Sequence, residues 1–285
     1  MAQPAGTPLE ISHSVSGRNL VLVTTDALFE CKGCKEPGYG PRYTDNKDRS
    51  RSRSQSQSFD LHTCCALAKG TLTHPLLRNR TFEFLTEPPP PVADTICDAC
   101  GEPAHGFVYH CSDKKEELDL HPCCALLPPD LLDRRDGRVF KLLRRTSRRC
   151  GMCGEKYSRR CDFWAYRTYL DGEAVDVHMA CMKEMARLSW KAAHENRVGG
   201  AQIVLPIEVS VETMLKSMPG TSDDGFDKFV GITGAVMSTA IAVISGNPTG
   251  VVTAVTDALR HIRLVCRSSL HQNRPPSNRT SRSAD

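Results

Sequence analysis

Cysteine pairs with two residues between them occur three times in the chain, and each is followed downstream by a histidine and a cysteine with the same spacing. Zinc binds four nitrogen or sulfur ligands in a tetrahedron, and structural zinc sites commonly take these ligands as two close pairs. We therefore predict three zinc sites with about one ion each. Their ligands are Cys31, Cys34, His62 and Cys65; Cys97, Cys100, His121 and Cys124; Cys150, Cys153, His178 and Cys181.

The sequence around these residues is also repeated. CKGCKEP, CDACGEP and CGMCGEK begin at residues 31, 97 and 150, and FDLHTCCAL, LDLHPCCAL and VDVHMACMK begin at residues 59, 118 and 175. A single copy can arise by chance in a cysteine-rich chain, but three copies in one order indicate a tandem array. The 20 to 27 residues between the two ligand pairs suit one β-hairpin.

Two further sets of residues, cysteines and aspartates, lie next to the predicted ligands. The spacing selects Cys65 and Cys124 as ligands, so Cys64 and Cys123 are expected to pack as small apolar side chains. An aspartate precedes each histidine by two residues, at Asp60, Asp119 and Asp176. Two hypotheses remain open for these aspartates: they orient the imidazole beside the metal, or they are solvated strand charges.

These phrases, with GFVYHC at 106–111 and HPLL at 74–77, resemble the plant Cys/His-rich divergent C1 domains, which are zinc-binding relatives of the protein kinase C C1 domain. The resemblance covers roughly residues 13–190. It implies three small β-rich, C1-like modules in tandem. It also implies a second zinc site in each complete unit. In the middle unit His74 and Cys111 match that degenerate second site, but Lys114 stands at the partner position.

The domain organisation follows from the repeats. Strands are predicted at 19–23, 81–85 and 138–143, and an amphipathic helix at 180–194. A helical hairpin within 229–266 is predicted because the apolar segment FVGITGAVMSTAIAVI there has only 16 residues and is interrupted by Gly231 and Gly234, whereas a spanning helix needs about 20 apolar residues. A membrane-associated hairpin is the alternative. The predicted regions are zinc units at 13–69, 74–130 and 138–194, a disordered Arg/Ser insert at 45–58, an α-helical C-terminal region at 195–266, and a disordered basic tail at 267–285.

The sequence predicts the cellular location of the protein, and the location predicts whether its cysteines are reduced. Because MAQPAGTPLEISHS lacks a secretory pattern, we expect an intracellular protein of the cytoplasm or nucleus, with peripheral membrane association as the alternative. Cysteines in such compartments are reduced, so disulfides are not expected.

No catalytic motif occurs, and a site closed by four protein ligands leaves no position for a reacting water. We therefore expect a non-catalytic interaction or adaptor module with a protein partner and no small-molecule substrate; the resemblance suggests signalling or stress response. One alternative is a thiol–disulfide oxidoreductase that uses the CxxC pairs. Another is a peripheral lipid-binding protein. Such a protein needs an exposed apolar rim, and the middle loop, EPAHGFVYH at 102–110, offers only Phe107 and Val108. The basic run at 134–149 suits anionic lipid or nucleic acid, or is simply a solvated strand edge.

Overall fold

The computed structural model describes most of the chain up to residue 194. The described residues are 8–45, 58–91, 95–113, 116–132, 139–151, 153–155, 162–170, 172–184, 186–187, 190 and 194. Residues 46–57 of the predicted Arg/Ser insert lie outside this set. So do the predicted C-terminal region at 195–266 and the basic tail at 267–285.

Three four-stranded antiparallel sheets follow one another along the chain. The first unit contains β1 (Glu10–His13), β2 (Arg18–Val23), β3 (Leu28–Glu30), β4 (Pro37–Tyr39), β5 (Arg42–Asp45) and β6 (Asp60–His62). Its sheet has the order β1-β2-β5-β6, and β3 pairs with β4 as a separate ribbon. A short helix, α1 (Thr63–Ala66), follows β6 directly.

The second and third units repeat this arrangement. The second contains β7 (Thr71–Leu72), a 3-10 turn (Pro75–Leu77), β8 (Phe82–Leu85), β9 (Val108–Cys111), β10 (Leu118–Leu120) and α2 (Pro122–Ala125). The third contains β11 (Asp130–Leu132), β12 (Val139–Leu143), β13 (Ala165–Leu170) and β14 (Glu173–His178). The sheet orders are β10-β9-β8-β7 and β11-β12-β13-β14.

The three predicted strands are confirmed as β2, β8 and β12. In β12 the side chains alternate between faces, because Phe140 and Leu142 are buried while Val139 and Lys141 are exposed. The predicted hairpin is also confirmed, since β5–β6, β9–β10 and β13–β14 each pair antiparallel between the two ligand pairs. A helical turn then begins after the ligand histidine, which brings the next ligand cysteine to the same end of the hairpin.

Each later unit docks on the cysteine loop of the unit before it. The N–H of Phe107 donates to the carbonyl of Gly33 at 3.0 Å, and the N–H of Trp164 donates to the carbonyl of Ala99 at 2.9 Å. Phe107 and Trp164 each immediately precede the first strand of their hairpin. Gly33 and Ala99 are each the second residue between two ligand cysteines. The units are therefore joined head to tail by one repeated contact.

The contact between Phe107 and Gly33 explains why position 33 is a glycine. A Cβ at Gly33 would lie 2.6 Å from the ring of Phe107, and a Cβ at Gly106 would lie 2.0 Å from the Gly33 carbonyl oxygen. Phe107 is 7% exposed and packs in the core of the first unit with Leu20 and Leu61. Phe107, which was expected on the apolar rim of an exposed loop, is thus buried between two units.

The helix after the third unit is confirmed in its described part, which is helical at 179–184, 186–187 and 190. Met182, Ala186 and Trp190 are buried, as the predicted amphipathic pattern requires. The ring of Trp190 stacks on that of Tyr39 from the first unit, with centroids 6.4 Å apart. This helix therefore contacts the first unit as well as the third. Within the described residues no helix is long and apolar enough to cross a membrane.

The Phe107 contact predicts a large effect of a single truncation. Phe107→Ala should lower the free energy of unfolding by about 3–5 kcal/mol, because it leaves a cavity between two units. Urea unfolding followed by tryptophan fluorescence measures this change. Tyr169→Ala is the matched control, since Tyr169 is 61% exposed and its loss should cost less than about 0.5 kcal/mol. Equal effects of the two changes would contradict the docking role.

Candidate metal centres

The structure brings the predicted ligands together in three clusters of one histidine and three cysteines. In each cluster the four candidate ligand atoms lie within 4.8 Å of one another. Cys153 is half-buried, and the other eleven side chains are buried. The clusters are Cys31, Cys34, His62 and Cys65; Cys97, Cys100, His121 and Cys124; Cys150, Cys153, His178 and Cys181.

The distances within the clusters fit tetrahedral zinc. Zinc–sulfur bonds of about 2.3 Å and zinc–nitrogen bonds of about 2.0 Å place sulfur and nitrogen about 3.5 Å apart and two sulfurs about 3.8 Å apart. The Nδ1 atoms of His62, His121 and His178 lie 3.3, 3.5 and 3.6 Å from the second cysteine of their CxxC pairs. Cys150 and Cys181 have their sulfurs 3.9 Å apart. Four atoms are thus arranged around a volume that suits one ion.

Backbone hydrogen bonds shape each cysteine loop. In the first unit the Cys31 N–H donates to the Glu36 carbonyl at 2.9 Å, and the Lys35 N–H donates to the Cys31 carbonyl at 2.9 Å. The same two bonds recur in the other units, at Cys97 and Cys150. Lys35 has a left-handed φ of 65°. The glycines at the matching positions, Gly101 and Gly154, have left-handed φ values of 74° and 70°. The repeated glutamate therefore closes the loop with its backbone carbonyl.

A second repeated bond attaches the cysteine loop to the strand that carries the histidine. The carbonyl of Asp60 accepts from the Lys32 N–H at 2.9 Å, and the carbonyl of Asp119 accepts from the Asp98 N–H at 2.8 Å. Asp176 accepts in the same way in the third unit, at 2.8 Å. Because the histidine lies two residues beyond this aspartate, the bond fixes its ring over the cysteines.

Both sequence hypotheses for the aspartate side chains are wrong. Asp60 pairs with Arg42 at 3.3 Å, Asp176 pairs with Arg167 at 2.6 Å, and Asp119 pairs with His110 at 2.9 Å. In the described part of the chain no hydrogen bond joins these carboxylates to the ligand histidines. Each partner lies on the neighbouring strand of the hairpin, and Asp60 and Asp176 are buried. The carboxylates therefore hold the hairpin together as cross-strand pairs.

The clusters concentrate negative charge. Burial lowers the pKa of His62, but the neighbouring thiolates of Cys31 and Cys34 outweigh it and raise this pKa well above its usual range. In the third unit burial likewise opposes the shift, yet hydrogen bonds to Cys150 and Cys153 raise the pKa of His178 to about 10. Such a cluster holds a proton strongly when it has no metal. A divalent cation would take the place of these protons, and its binding would release them.

The second ring nitrogen of the ligand histidine is supported differently in the first two units. Nε2 of His121 donates to the Pro103 carbonyl at 3.0 Å, which fixes the tautomer that leaves Nδ1 free for a metal. Nε2 of His62 has no hydrogen-bond partner among the described residues. Gly38 lies against it instead, since a Cβ there would come within 2.4 Å. The ligand histidine of the middle centre is therefore held by a hydrogen bond that the ligand histidine of the first centre lacks.

A buried lysine from the C-terminal helix reaches the middle centre. Lys183 is 3% exposed, and its Nζ lies 3.4 Å from the sulfur of Cys100, 2.7 Å from Glu36 and 2.5 Å from Glu102. Three thiolates with one bound zinc ion would carry a net charge of about −1, which Lys183 would offset. Lys183 also pairs two carboxylates from different units. Arg187 also pairs with Glu102, at 2.5 Å. No local sequence pattern marks Lys183 or Arg187 as a partner of another unit, so neither residue is predictable from the sequence.

The degenerate second site is not assembled in the described structure. Nε2 of His74 donates to the Leu127 carbonyl at 2.8 Å, and its Nδ1 accepts from the Leu76 N–H at 3.1 Å. Both ring nitrogens of His74 thus serve the backbone. Cys111 is buried, and no metal-binding group among the described residues includes it or His74.

The expectation that Cys64 and Cys123 are separate, reduced thiols is wrong. The structure joins them in a disulfide between the first and second units. The reason lies in the array: α1 and α2 pack against each other, and each carries one of these cysteines at the same position. Their sulfurs also lie within 4.8 Å of the ligand atoms of His62 and Cys65, as a fourth Cys/His group.

No protein-family model, curated protein or solved structure matches this chain. The Cys/His clusters of the structure are compatible with zinc-binding, C1-like modules.

The assignment of the ligands predicts which substitutions remove bound metal. Cys97→Ser or His121→Ala should remove about one zinc per chain and unfold the middle unit, because three ligands hold a structural ion poorly. Metal analysis with limited proteolysis measures both effects. The matched control is Cys111→Ser, which changes a buried cysteine outside the clusters and should keep all the zinc. The same zinc loss in the control would refute the assignment.

The Lys183 contacts predict a strong effect of removing one charge. Lys183→Met should lower the free energy of unfolding by about 3–5 kcal/mol, because Glu36 and Glu102 lose a buried partner. Arg187→Met is the control; its side chain is 29% exposed, so we expect a loss of about 1 kcal/mol or less. Thermal unfolding of the zinc-loaded protein compares the variants. A smaller effect at Lys183 than at Arg187 would contradict this role.

Proposed function

We propose that the protein is a zinc-binding array of three C1-like units of the divergent C1 type, and that it acts as a non-catalytic interaction module for a protein partner. The observation that supports this best is the threefold recurrence of one buried Cys3His cluster, each closed by the same backbone bonds. Units of this size bury only about 60% of the surface that the unfolded chain exposes, so they are marginally stable on their own. Zinc therefore supplies the folding energy of each unit.

Zinc fits these ligands better than other common ions. Thiolates and imidazoles favour zinc or copper(I), whereas calcium and magnesium need oxygen ligands. Four protein ligands in a tetrahedral arrangement are typical of structural zinc. Each set fills all four positions, so no position remains at which zinc activates water. This supports a structural role for the ions and a non-catalytic role for the array.

An exposed apolar pair supports the interaction role. Leu67 and Leu126 occupy the same position after α1 and α2, and they are 42% and 55% exposed. Since α1 and α2 pack together, the ends of both turns belong to one junction between the first and second units. We propose this junction as the surface that a protein partner contacts. The resemblance to divergent C1 domains favours a role in signalling or stress response.

Two other functions receive less support. A thiol–disulfide oxidoreductase needs an accessible CxxC, usually at a helix start. Here the first cysteine of each pair is buried and lies in a loop that faces a histidine and a third cysteine. Lipid binding through the middle loop would need Phe107 on the surface, and its ring is enclosed between two units.

Metal removal tests the proposed function. The purified chain should contain about three zinc ions, and a chelator should remove both the zinc and the resistance of the units to protease. Ligand thiols should react with maleimide only after chelation, whereas a redox CxxC would react before it. A metal-free chain that stays folded and protease-resistant would refute the proposal.

The partner surface needs its own test. Chemical cross-linking of the zinc-loaded chain in cell extract should yield a protein adduct that the double variant Leu67→Ser, Leu126→Ser loses. Tyr169→Ser is the control, because it changes an exposed side chain in the third unit. The double variant must keep about three zinc ions. Adducts that are unchanged in the double variant would contradict this surface.

A further inference from the structure

Two cysteines that belong to none of the three repeated ligand sets meet between the first and second units. Cys64 and Cys123 are 59 residues apart in the chain, and their Cα atoms are 5.6 Å apart. This separation is the usual one for a disulfide, which requires Cα atoms within about 7 Å. The fold of the backbone therefore brings the two sulfurs together.

The position of this pair is particular to one junction. Each cysteine directly precedes a ligand cysteine, in α1 and in α2, and these two turns pack against each other. Cys123 also belongs to the apolar core of the first unit, as does Phe107. The third unit has Ala180 at the matching position. Of the two junctions, only the one between the first and second units carries this pair of sulfurs.

We propose that Cys64 and Cys123 form a redox-responsive clasp that reversibly locks the first unit to the second while the metal centres stay intact. In the open state both residues are thiols. In the closed state one disulfide joins α1 to α2. The CxxC pairs take no part in this chemistry, so the proposal concerns a site separate from the oxidoreductase alternative.

The exchange reaction is balanced with a small disulfide such as oxidised glutathione as the oxidant. The thiolate of Cys64 attacks one sulfur of the small disulfide, forms a mixed disulfide and releases one thiol. The thiol of Cys123 then loses its proton and attacks the Cys64 sulfur, which forms the clasp and releases a second thiol. Two protein thiols are oxidised and one disulfide is reduced to two thiols. Cys64 reacts first because it is 6% exposed, against 1% for Cys123.

The neighbouring centre explains why bound metal matters to this chemistry. The sulfurs of Cys64 and Cys123 lie within 4.8 Å of the ligand atoms of Cys65 and His62. Without a metal, the Cys65 sulfur at that distance is close enough to exchange into the disulfide and scramble it. Zinc bound to the Cys65 sulfur would prevent this exchange. The clasp should therefore form one specific bond only in the metal-loaded protein.

A redox titration of the zinc-loaded full chain tests the proposal. Samples are equilibrated in glutathione buffers from reducing to oxidising, free thiols are blocked with N-ethylmaleimide, and linked peptides are mapped by mass spectrometry. We expect one Cys64–Cys123 peptide to appear and disappear reversibly, while the zinc content stays constant. We also expect protease cleavage between the two units to be about tenfold slower in the closed state, because the cross-link restricts opening.

Matched variants assign the effect to this pair. Cys64→Ser and Cys123→Ala should each abolish the linked peptide and the change in cleavage, and both should keep the zinc content of the unchanged chain. Cys111→Ser, which alters another buried cysteine, should behave like the unchanged chain.

Four results would overturn the proposal. The pair could be alkylated completely in every buffer, or it could stay linked in the most reducing buffer, which would make it a permanent bond. Zinc could leave in step with closure, which would show that a ligand cysteine is consumed. Finally, the reduced chain could take up an additional zinc ion that Cys64→Ser prevents, which would make the pair a metal site.

Discussion

The bond between the cysteine loop and the histidine strand determines the geometry of every unit. A backbone N–H between the two cysteines donates to the carbonyl of the aspartate at 60, 119 or 176. The four ligands of a unit are far apart in sequence, so the chain must close a loop before any ion can bind. This closure costs conformational entropy, which grows only slowly with loop length. The intervening hairpin can therefore vary in length while the ligand geometry stays the same.

The same cysteine loops also connect the units. Phe107 and Trp164 donate backbone hydrogen bonds to the loops of the preceding units. Lys183 then pairs with glutamates that follow the first two loops. Docking and charge pairing thus act directly on the residues of the candidate metal centres. A change in the geometry of one cysteine loop should weaken the next unit, because that unit docks on the backbone of the loop.

Cysteine has three structural roles in this chain, and burial does not distinguish them. Cys100 belongs to a metal cluster, Cys111 is a buried free thiol, and Cys123 joins a second unit, yet all three are almost completely buried. What differs is the set of neighbours. Cys100 lies among two thiols and the imidazole of its own unit, whereas Cys123 meets Cys64 across the junction with the first unit.

The sequence by itself determined the three ligand clusters, the strands before each CxxC and the hairpins between the ligand pairs. This was possible because ligand spacing and strand alternation are local properties of the chain, and the repeat displays them three times. Only the tertiary structure decided which residues meet between units. The partners of Asp60 and Asp176, the burial of Phe107, the role of Lys183 and the pairing of Cys64 with Cys123 all depend on contacts between segments distant in sequence. No local pattern encodes such contacts, since they arise from how one folded surface fits another.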